Sequence, residues 1–374
     1  MKFVISTQEL NALISQIQNV VALKPTIPIL SNFLIEAAND ELILTATDLT
    51  VGVRCYTEAK ILEEGATTLP AKRLSQLIRE LTTVNVEISS NTNEVTTLVA
   101  GTSRFKLNGM NKNDFPSLPD LTNTHSFQIK QSVLKDLLYR TSFAVSKEDN
   151  RYVLTGVLMQ IAQGQLIFVG TDGKRLARTI TAVHTPPEFS SQSIIPLKAV
   201  DEILKNLTEE GEAKISIMSD KIAVEMNQTR ILTKLLSGDY PDINRVVPDQ
   251  ADKIMSLHRE ELMALLRQVS LFTVDHHHSV RFTFMDGELK LTANTMEIGE
   301  GHVGMPVNYH GVKLEIAFNP GFFLDILRHC KEETVTLGLI DAYNPGLLTD
   351  GQHTGPLHQA SPLFVIMPMR LSED

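Results

Sequence analysis

Leu10-Asn11-Ala12-Leu13-Ile14-Ser15-Gln16-Ile17 decides the fold, because the chain repeats its pattern twice more. The apolar positions Leu10, Leu13, Ile14 and Ile17 recur as Leu134, Leu137, Leu138 and Thr141, and again as Leu262, Leu265, Leu266 and Val269, at offsets of 124 and then 128 residues. A second set follows the same rule: Leu74, Leu77, Ile78 and Leu81, then Val200, Ile203, Leu204 and Leu207, then Phe323, Ile326, Leu327 and Cys330. Spacing of i, i+3, i+4, i+7 draws one apolar stripe along an amphipathic helix. A period of this length is a whole domain rather than a solenoid unit. The sequence therefore predicts three copies of one fold and a function that uses a repeated, pseudo-symmetric surface.

Outward from the first helix, Lys2 to Ile5 reads as a short strand, Ser6 or Thr7 as the cap, and the helix as running to about Val21. A Pro-rich turn over Lys24 to Pro28 leads to strands at 32–37, 41–47, 51–58 and 67–69, a helix opening at Pro70 or Ala71, and strands at 84–89, 94–100 and 103–108. The second copy reads as a strand at 127–129, a helix from Lys130, strands at 156–162, 165–171 and 193–195, and a helix from Leu197. The third reads as a strand at 254–257, a helix from His258, strands at 280–285, 288–293 and 314–318, and a helix from Pro320, with Asp286-Gly287 as a hairpin turn. Two helices and many strands per copy, with few βαβ crossovers, indicate α+β architecture with mainly antiparallel sheet. Polar, Pro-bearing joints at 116–125 and 247–252 divide the chain into domains over 1–121, 125–247 and 252–374.

Each third of the 374 residues is long enough for its own core, and 43% apolar with 21% charged residues is a globular composition. MKFVIST has no basic segment ahead of an apolar one, and no run approaches the ~18 apolar residues of a membrane span, so the cytoplasm is the expected compartment. Cys55 and Cys330 fall in different repeats and support neither a disulfide framework nor a zinc site.

The net charge of −10 taken alone weakens a nucleic-acid reading. The six helical segments, however, hold twelve Lys or Arg against eight Asp or Glu, which leaves −14 on everything else. By itself this modest bias is what ordinary solvated helix faces show. If the helices of all three copies line one surface, it becomes a basic lining on an acidic body. Such a lining attracts phosphates without reading sequence.

Particular segments then carry a family resemblance: Lys24-Pro25-Thr26-Ile27-Pro28-Ile29-Leu30, Thr45-Ala46-Thr47-Asp48, Ser103-Arg104-Phe105, Asp114-Phe115-Pro116, Gly170 to Leu176, Tyr240-Pro241-Asp242 and the tail Val365 to Leu371. In order and spacing the chain resembles the bacterial sliding clamps, the beta subunits of replicative DNA polymerase III. The resemblance implies repeats of two helices backed by sheet, and two chains closing head to tail into a six-domain ring around duplex DNA. It implies a non-catalytic processivity factor with no cofactor and no metal, partnered by double-stranded DNA, by a second copy of itself, and by a polymerase, a clamp loader and other proteins carrying a clamp-binding peptide. A tether that slides needs exchangeable phosphate contacts, since base-specific contacts of about 1–3 kcal/mol would trap it.

For DNA the resemblance and the charge pattern single out Lys24, Lys72, Arg73, Arg79, Lys147, Arg151 and Lys198. For the peptide pocket, the resemblance implies Leu154, Thr171, Gly173, Lys174, Arg175, Leu176, Pro241, Arg245 and Val246 from the second repeat. The third repeat is expected to add Asn319, Phe322, Tyr343, Val365, Met367, Pro368, Met369 and Arg370. The Met, aliphatic and Pro content suits an adaptable apolar groove. Met367 to Leu371 reads alternatively as a final strand, and its Pro makes an edge strand the better of the strand readings. For the dimer interface the resemblance implies Phe105 and Leu107 on an edge strand against Leu271 and Phe272. Lys174 stands where some members carry His, Ser372-Glu373-Asp374 extends past the usual terminal Leu, and Glu148 adds an acid to a loop at a DNA-contact position.

Other signals are weaker. Gly173-Lys174 lacks the GxxxxGK[ST] frame of a phosphate loop. His276-His277-His278 has no spaced companion ligands and reads as a solvated loop. Asp48 and Asp172 recur in equivalent places, with Asn294 in the third repeat, and a turn role suits them better than acid–base work. The runner-up function is an enzyme acting on nucleic acid or nucleotides through an unrecognised site between repeats.

Overall fold

The computed structural model describes all residues except Leu23, Lys24, Thr122, Asn123, Asp149, Pro187, Asp275, His276, His277 and Leu371 to Asp374. Lys24, most of the His triplet and the Ser372-Glu373-Asp374 extension therefore lie outside the described residues.

The first repeat runs β1 (Lys2–Ser6), α1 (Thr7–Ile17), β2 (Asn32–Ala38), β3 (Glu41–Thr47), β4 (Val51–Glu58), β5 (Lys60–Glu63), β6 (Gly65–Pro70), α2 (Ala71–Glu80), β7 (Asn85–Ser90), β8 (Val95–Ala100) and β9 (Ser103–Asn108). The second runs β10 (His125–Lys130), α3 (Gln131–Ser142), β11 (Gly156–Ala162), β12 (Gln165–Thr171), β13 (Arg175–Ala182), β14 (Ser191–Pro196), α4 (Leu197–Asn206), β15 (Glu212–Ile217), β16 (Lys221–Met226) and β17 (Thr229–Lys234). The third runs β18 (Lys253–His258), α5 (Arg259–Ser270), β19 (Val280–Met285), β20 (Glu288–Thr295), β21 (Gly299–Pro306), β22 (Leu314–Phe318), α6 (Pro320–Arg328), β23 (Thr334–Leu339), β24 (Gly346–Asp350) and β25 (Leu363–Ile366).

The helical stripes point inward. Their residues are buried except Leu77, Leu81, Leu204 and Leu265, which are half-buried. Each fully buried Leu, Ile or Phe contributes roughly 1.5–3 kcal/mol relative to exposure. Ser6 caps α1 by accepting the Glu9 N–H, and His258 caps α5 through the Glu261 N–H. α1 stops at Ile17, short of the expected Val21. Asn19, Val20 and Val21 are weak helix formers, and Val20 is buried in the turn that follows.

The chain forms two compact units. The first, Met1–Lys135 with Ile195–Leu235, holds a five-stranded sheet ordered β5-β1-β7-β8-β9 and an eight-stranded sheet ordered β10-β15-β16-β17-β4-β3-β2-β6. The second, Asp136–Ile194 with Leu236–Asp374, holds an eight-stranded sheet ordered β14-β11-β12-β13-β25-β24-β23-β18 and a four-stranded sheet ordered β21-β20-β19-β22; the first four residues of β14 fall in this unit. Every strand pair whose register is described is antiparallel, and Phe282, stacked on Phe323 at 5.1 Å and edge-on to Phe318 at 5.3 Å, centres the second unit's aromatic core.

Each eight-stranded sheet joins one repeat to the next, and the two joints share a register. In the first unit β17 meets β4 with Ile231 opposite Val53; in the second β25 meets β13 with Phe364 opposite Ala177. Counted from the two-residue turns that precede Glu41 and Gln165, Val53 and Ala177 are equivalent. Ile231 and Phe364 are equivalent through the ladders Phe127–Ile215–Val224–Ile231 and Met255–Leu337–Leu348–Phe364. The same count from Glu41, Gln165 and Glu288 sets Thr295, rather than Asn294, in register with Asp48 and Asp172.

The tail departs from the strand reading. β25 ends at Ile366 in the middle of its sheet, Met367 donates its N–H to the Lys174 carbonyl at 2.9 Å, and Met369 forms one isolated bridge to Ala317. Pro368 has no N–H to continue a ladder.

Candidate functional site

The site is built on a turn that the fold makes twice. Thr47 and Asp48 close the β3–β4 turn: Asp48 Oδ1 accepts the N–H of Thr50 at 2.8 Å and of Val51 at 2.7 Å. In the second repeat Asp172 Oδ1 accepts the N–H of Lys174 at 2.9 Å and of Arg175 at 3.0 Å, while Thr171 Oγ1 accepts from Gly173 and donates to the Arg175 carbonyl. Both aspartates serve the turn. Gly173 has φ of +81°, and a Cβ there would stand 2.8 Å from an Arg151 guanidinium nitrogen. The left-handed φ favours glycine, and a side chain there would also have to push the Arg151 guanidinium aside.

Beside this turn, wholly within the second unit, lies an apolar cavity of about 190 Å³. Leu154, Leu176 and Val365 form its floor and are buried. Thr171, Gly173, Arg175, Pro241, Val246 and Met367 also line it, so nine of the seventeen expected pocket residues come together. Arg151, assigned to DNA from the sequence, lines the cavity, together with Asp242 and Ile243, which sequence reasoning missed. Asp242 caps the short 3₁₀ turn at Ile243–Arg245, and its place beside Pro241 in the Tyr-Pro-Asp motif was the available signal.

The remaining expected residues do not line the cavity. Asn319 caps α6, accepting the N–H groups of Gly321 and Phe322. Phe322 acts through a neighbour: the Arg175 guanidinium sits 4.7 Å from its ring centre and 5.4 Å from that of Phe143. Arg175 also pairs with Asp172 at 3.1 Å and Asp325 at 2.7 Å, which holds it rigidly. His329 stacks on Phe143 at 4.0 Å, and burial keeps its imidazole below the ordinary value. Lys174 is exposed, Arg245 pairs with Asp242 at 3.3 Å, and Tyr343 and Arg370 are exposed, whereas Pro368 and Met369 are half-buried.

Of the residues singled out for DNA, Lys72, Arg73 and Arg79 project from α2, and Lys147 is exposed in the loop after α3. Arg79 donates to Gln18 Oε1 at 2.6 Å, which leaves its charge unneutralised. Lys198 is committed to Asp48 at 2.6 Å and to the Val20 carbonyl at 3.4 Å, where it ties α4 to the end of α1. Lys205 and Asn206 extend that tie to the carbonyls of Ser15 and Gln16.

The residues named for an interface lie at open ends. β9 is the last strand of its sheet, with Phe105 and Leu107 half-buried. Leu271 is 74% exposed beyond α5. Phe272 packs on its own chain: a Cβ at Gly301 on β21, another sheet-end strand, would fall 2.3 Å from its ring.

Among the described residues no group of three His, Cys, Asp or Glu could hold a metal ion, and no helix is long and apolar enough to cross a membrane. Both cysteines are free and buried, and burial pushes the Cys330 thiol up to about 12.

Family models for the DNA polymerase III beta subunit match in three consecutive parts: the N-terminal domain over residues 1–119, the central domain over 128–242 and the C-terminal domain over 244–370. The chain is 54% identical to the beta sliding clamp of Chlamydia pneumoniae over the full length of both. Among solved structures it resembles the sliding clamp of Pseudomonas aeruginosa bound to griselimycin (TM-score 0.94, 31% identity, 99% of this chain and all of that one). It also resembles the DNA polymerase sliding clamp of Bacillus subtilis (TM-score 0.94, 25% identity, all of both chains). Three repeated domains of two helices backed by antiparallel sheet, an apolar pocket beside a doubly used turn, and full-length identity lead to one statement: the chain belongs to the DNA polymerase III beta-subunit family, the beta sliding clamps, whose members are non-catalytic processivity factors of DNA replication.

Proposed function

We propose that the chain, with repeat domains over 1–121, 125–247 and 252–374, works as a head-to-tail homodimeric ring. The ring encircles duplex DNA in the cytoplasm and holds polymerase, clamp loader and other clients through the apolar pocket. The observation that carries this reading is the shared register of the two internal joints. β9 is equivalent to β17 and β25, and β21 to β4 and β13, yet β9 and β21 end their sheets. A third joint made by the same rule needs a second copy, and a heterologous contact that closes after two chains gives a ring.

The same equivalence supports one register for that joint. Phe105 corresponds to Ile231 and Phe364, and Gly301 to Val53 and Ala177, so Phe105 lies opposite the partner's Gly301 and Lys106 opposite the partner's Glu300. On the helices Lys72 and Arg79 correspond to Lys198 and Lys205. They meet the partner's α5 end, where Leu271 is exposed, as well as phosphate. Among the described residues, Arg73 and Lys147 are then the named cations left to DNA alone, since Arg151 stands at the pocket. Sedimentation equilibrium at micromolar concentration tests the ring: a dimer for the native chain and monomer for Leu271→Ala with Phe105→Ala are expected. A monomeric native chain refutes it.

For the pocket, extended peptides with Leu and aromatic anchors fit the apolar well, with a Gln near the Met367 to Met369 segment. Ordering a flexible peptide is costly, so one site binds near the micromolar range and two per ring add avidity.

A further inference from the structure

We propose that Lys174 makes the pocket selective for peptides that carry carboxylates beside their apolar anchors. This rests on the peptide-pocket reading above and adds to it the charge of the client. Lys174 sits between Gly173 and Arg175, both of which line the cavity, and its carbonyl accepts the N–H of Met367, a third lining residue, at 2.9 Å. Its own N–H is fixed by Asp172 at 2.9 Å, so the backbone that presents this side chain is held at both ends. The turn is rigid and the side chain is exposed at its rim.

The charges around it are already engaged. Asp172 accepts two backbone N–H groups through Oδ1 and the Arg175 guanidinium through Oδ2. Asp325 is shared between Arg175 at 2.7 Å and Arg328 at 2.8 Å, and Asp242 faces Arg245 at 3.3 Å. Among the described residues the Lys174 ammonium has no hydrogen-bond or ion-pair partner. An apolar well of about 190 Å³ chooses side chains by size and gives no preference in charge. The rim cation supplies that preference, because a peptide carboxylate reaching it gains an ion pair and displaces no internal acid. The contact is partly solvated, so its strength falls with salt.

Fluorescence anisotropy with two labelled peptides tests this: Glu-Gln-Leu-Glu-Leu-Phe-Glu and its amide isostere Gln-Gln-Leu-Gln-Leu-Phe-Gln. Placing carboxylates before, between and after the anchors removes any dependence on peptide register. At low salt the native chain should bind the acidic peptide about three- to fivefold more tightly, the range of a favourable exposed ion pair. Lys174→Gln should bring the two peptides to near parity without weakening the amide peptide, Lys174→Arg should keep the preference, and high salt should erase it. Equal binding of both peptides by the native chain, or a preference that survives Lys174→Gln, overturns the role of Lys174 and leaves the pocket standing. Failure of both peptides to bind the native chain refutes the pocket reading and this inference together.

Discussion

Arg140 on α3 and Asp350 at the end of β24 form an ion pair at 2.7 Å with side-chain exposures of only 8% and 5%. The pair is well satisfied. Arg140 also reaches Asp136, and Asp350 accepts the backbone N–H groups of Lys331 and Glu332. It joins a helix of the second repeat to β24, the second strand after α6 in the third.

Removing one partner strands a buried charge. Arg140→Met is expected to cost about 3–5 kcal/mol, and Arg140→Met with Asp350→Leu distinctly less, because the double replacement buries no lone ion. Denaturant unfolding of the three proteins measures this; a double variant as unstable as the sum of its parts would falsify the account.

Glu202 on α4 should make stability depend on pH. It is 4% exposed, one carboxylate oxygen has no partner, and burial holds its carboxyl above the ordinary 4.5 despite Lys205 and Lys198. A raised folded-state value means that its contribution is fully present at low pH and is lost as pH rises through that value. Glu202→Gln should therefore stabilise the chain by about 1 kcal/mol at pH 7. The gain should vanish below pH 4, and thermal melts across that range decide the matter.

The proposed Lys106–Glu300 contact between chains predicts charge-swap behaviour. Lys106→Glu or Glu300→Lys alone should weaken the dimer several-fold, and the two together should recover most of the loss. Dimer dissociation constants at low salt supply the readout, and failure of the double variant to recover would shift the register.

DNA contacts divide in the same way. Arg73→Glu should lower DNA affinity and flatten the log–log salt slope by about 0.9 while leaving the dimer intact. Lys72→Glu and Arg79→Glu should impair dimer and DNA together. Lys198→Ala should act chiefly on stability, since Lys198 is tied to Asp48. Unchanged DNA binding by Arg73→Glu would remove Arg73 from the contact surface.

Gly173→Ala tests the pocket wall. The left-handed backbone makes any side chain there cost roughly 1–2 kcal/mol, and the new methyl displaces Arg151. Peptide affinity should fall while the dimer persists, as shown by titration alongside sedimentation.

The sequence by itself determined the three repeats, the six helices and most of the strands, because the apolar spacing of Leu10 to Ile17 and its copies is a local property that burial enforces. It also held Asp48 and Asp172 as turn residues, since an Asx turn is closed by neighbours two and three places away. Strands such as β13, β21 and β25 were less legible: β13 and β25 pair across repeats, and nothing local announces a partner nearly 190 residues distant. Only the tertiary structure placed Arg151 and Ile243 at the pocket and made Phe322 a support for Arg175 rather than a wall. It also committed Lys198 to Asp48 and turned Phe272 onto Gly301. Those outcomes depend on which side chains meet across elements, and periodicity carries no information about where a charged or aromatic group finds its counterpart.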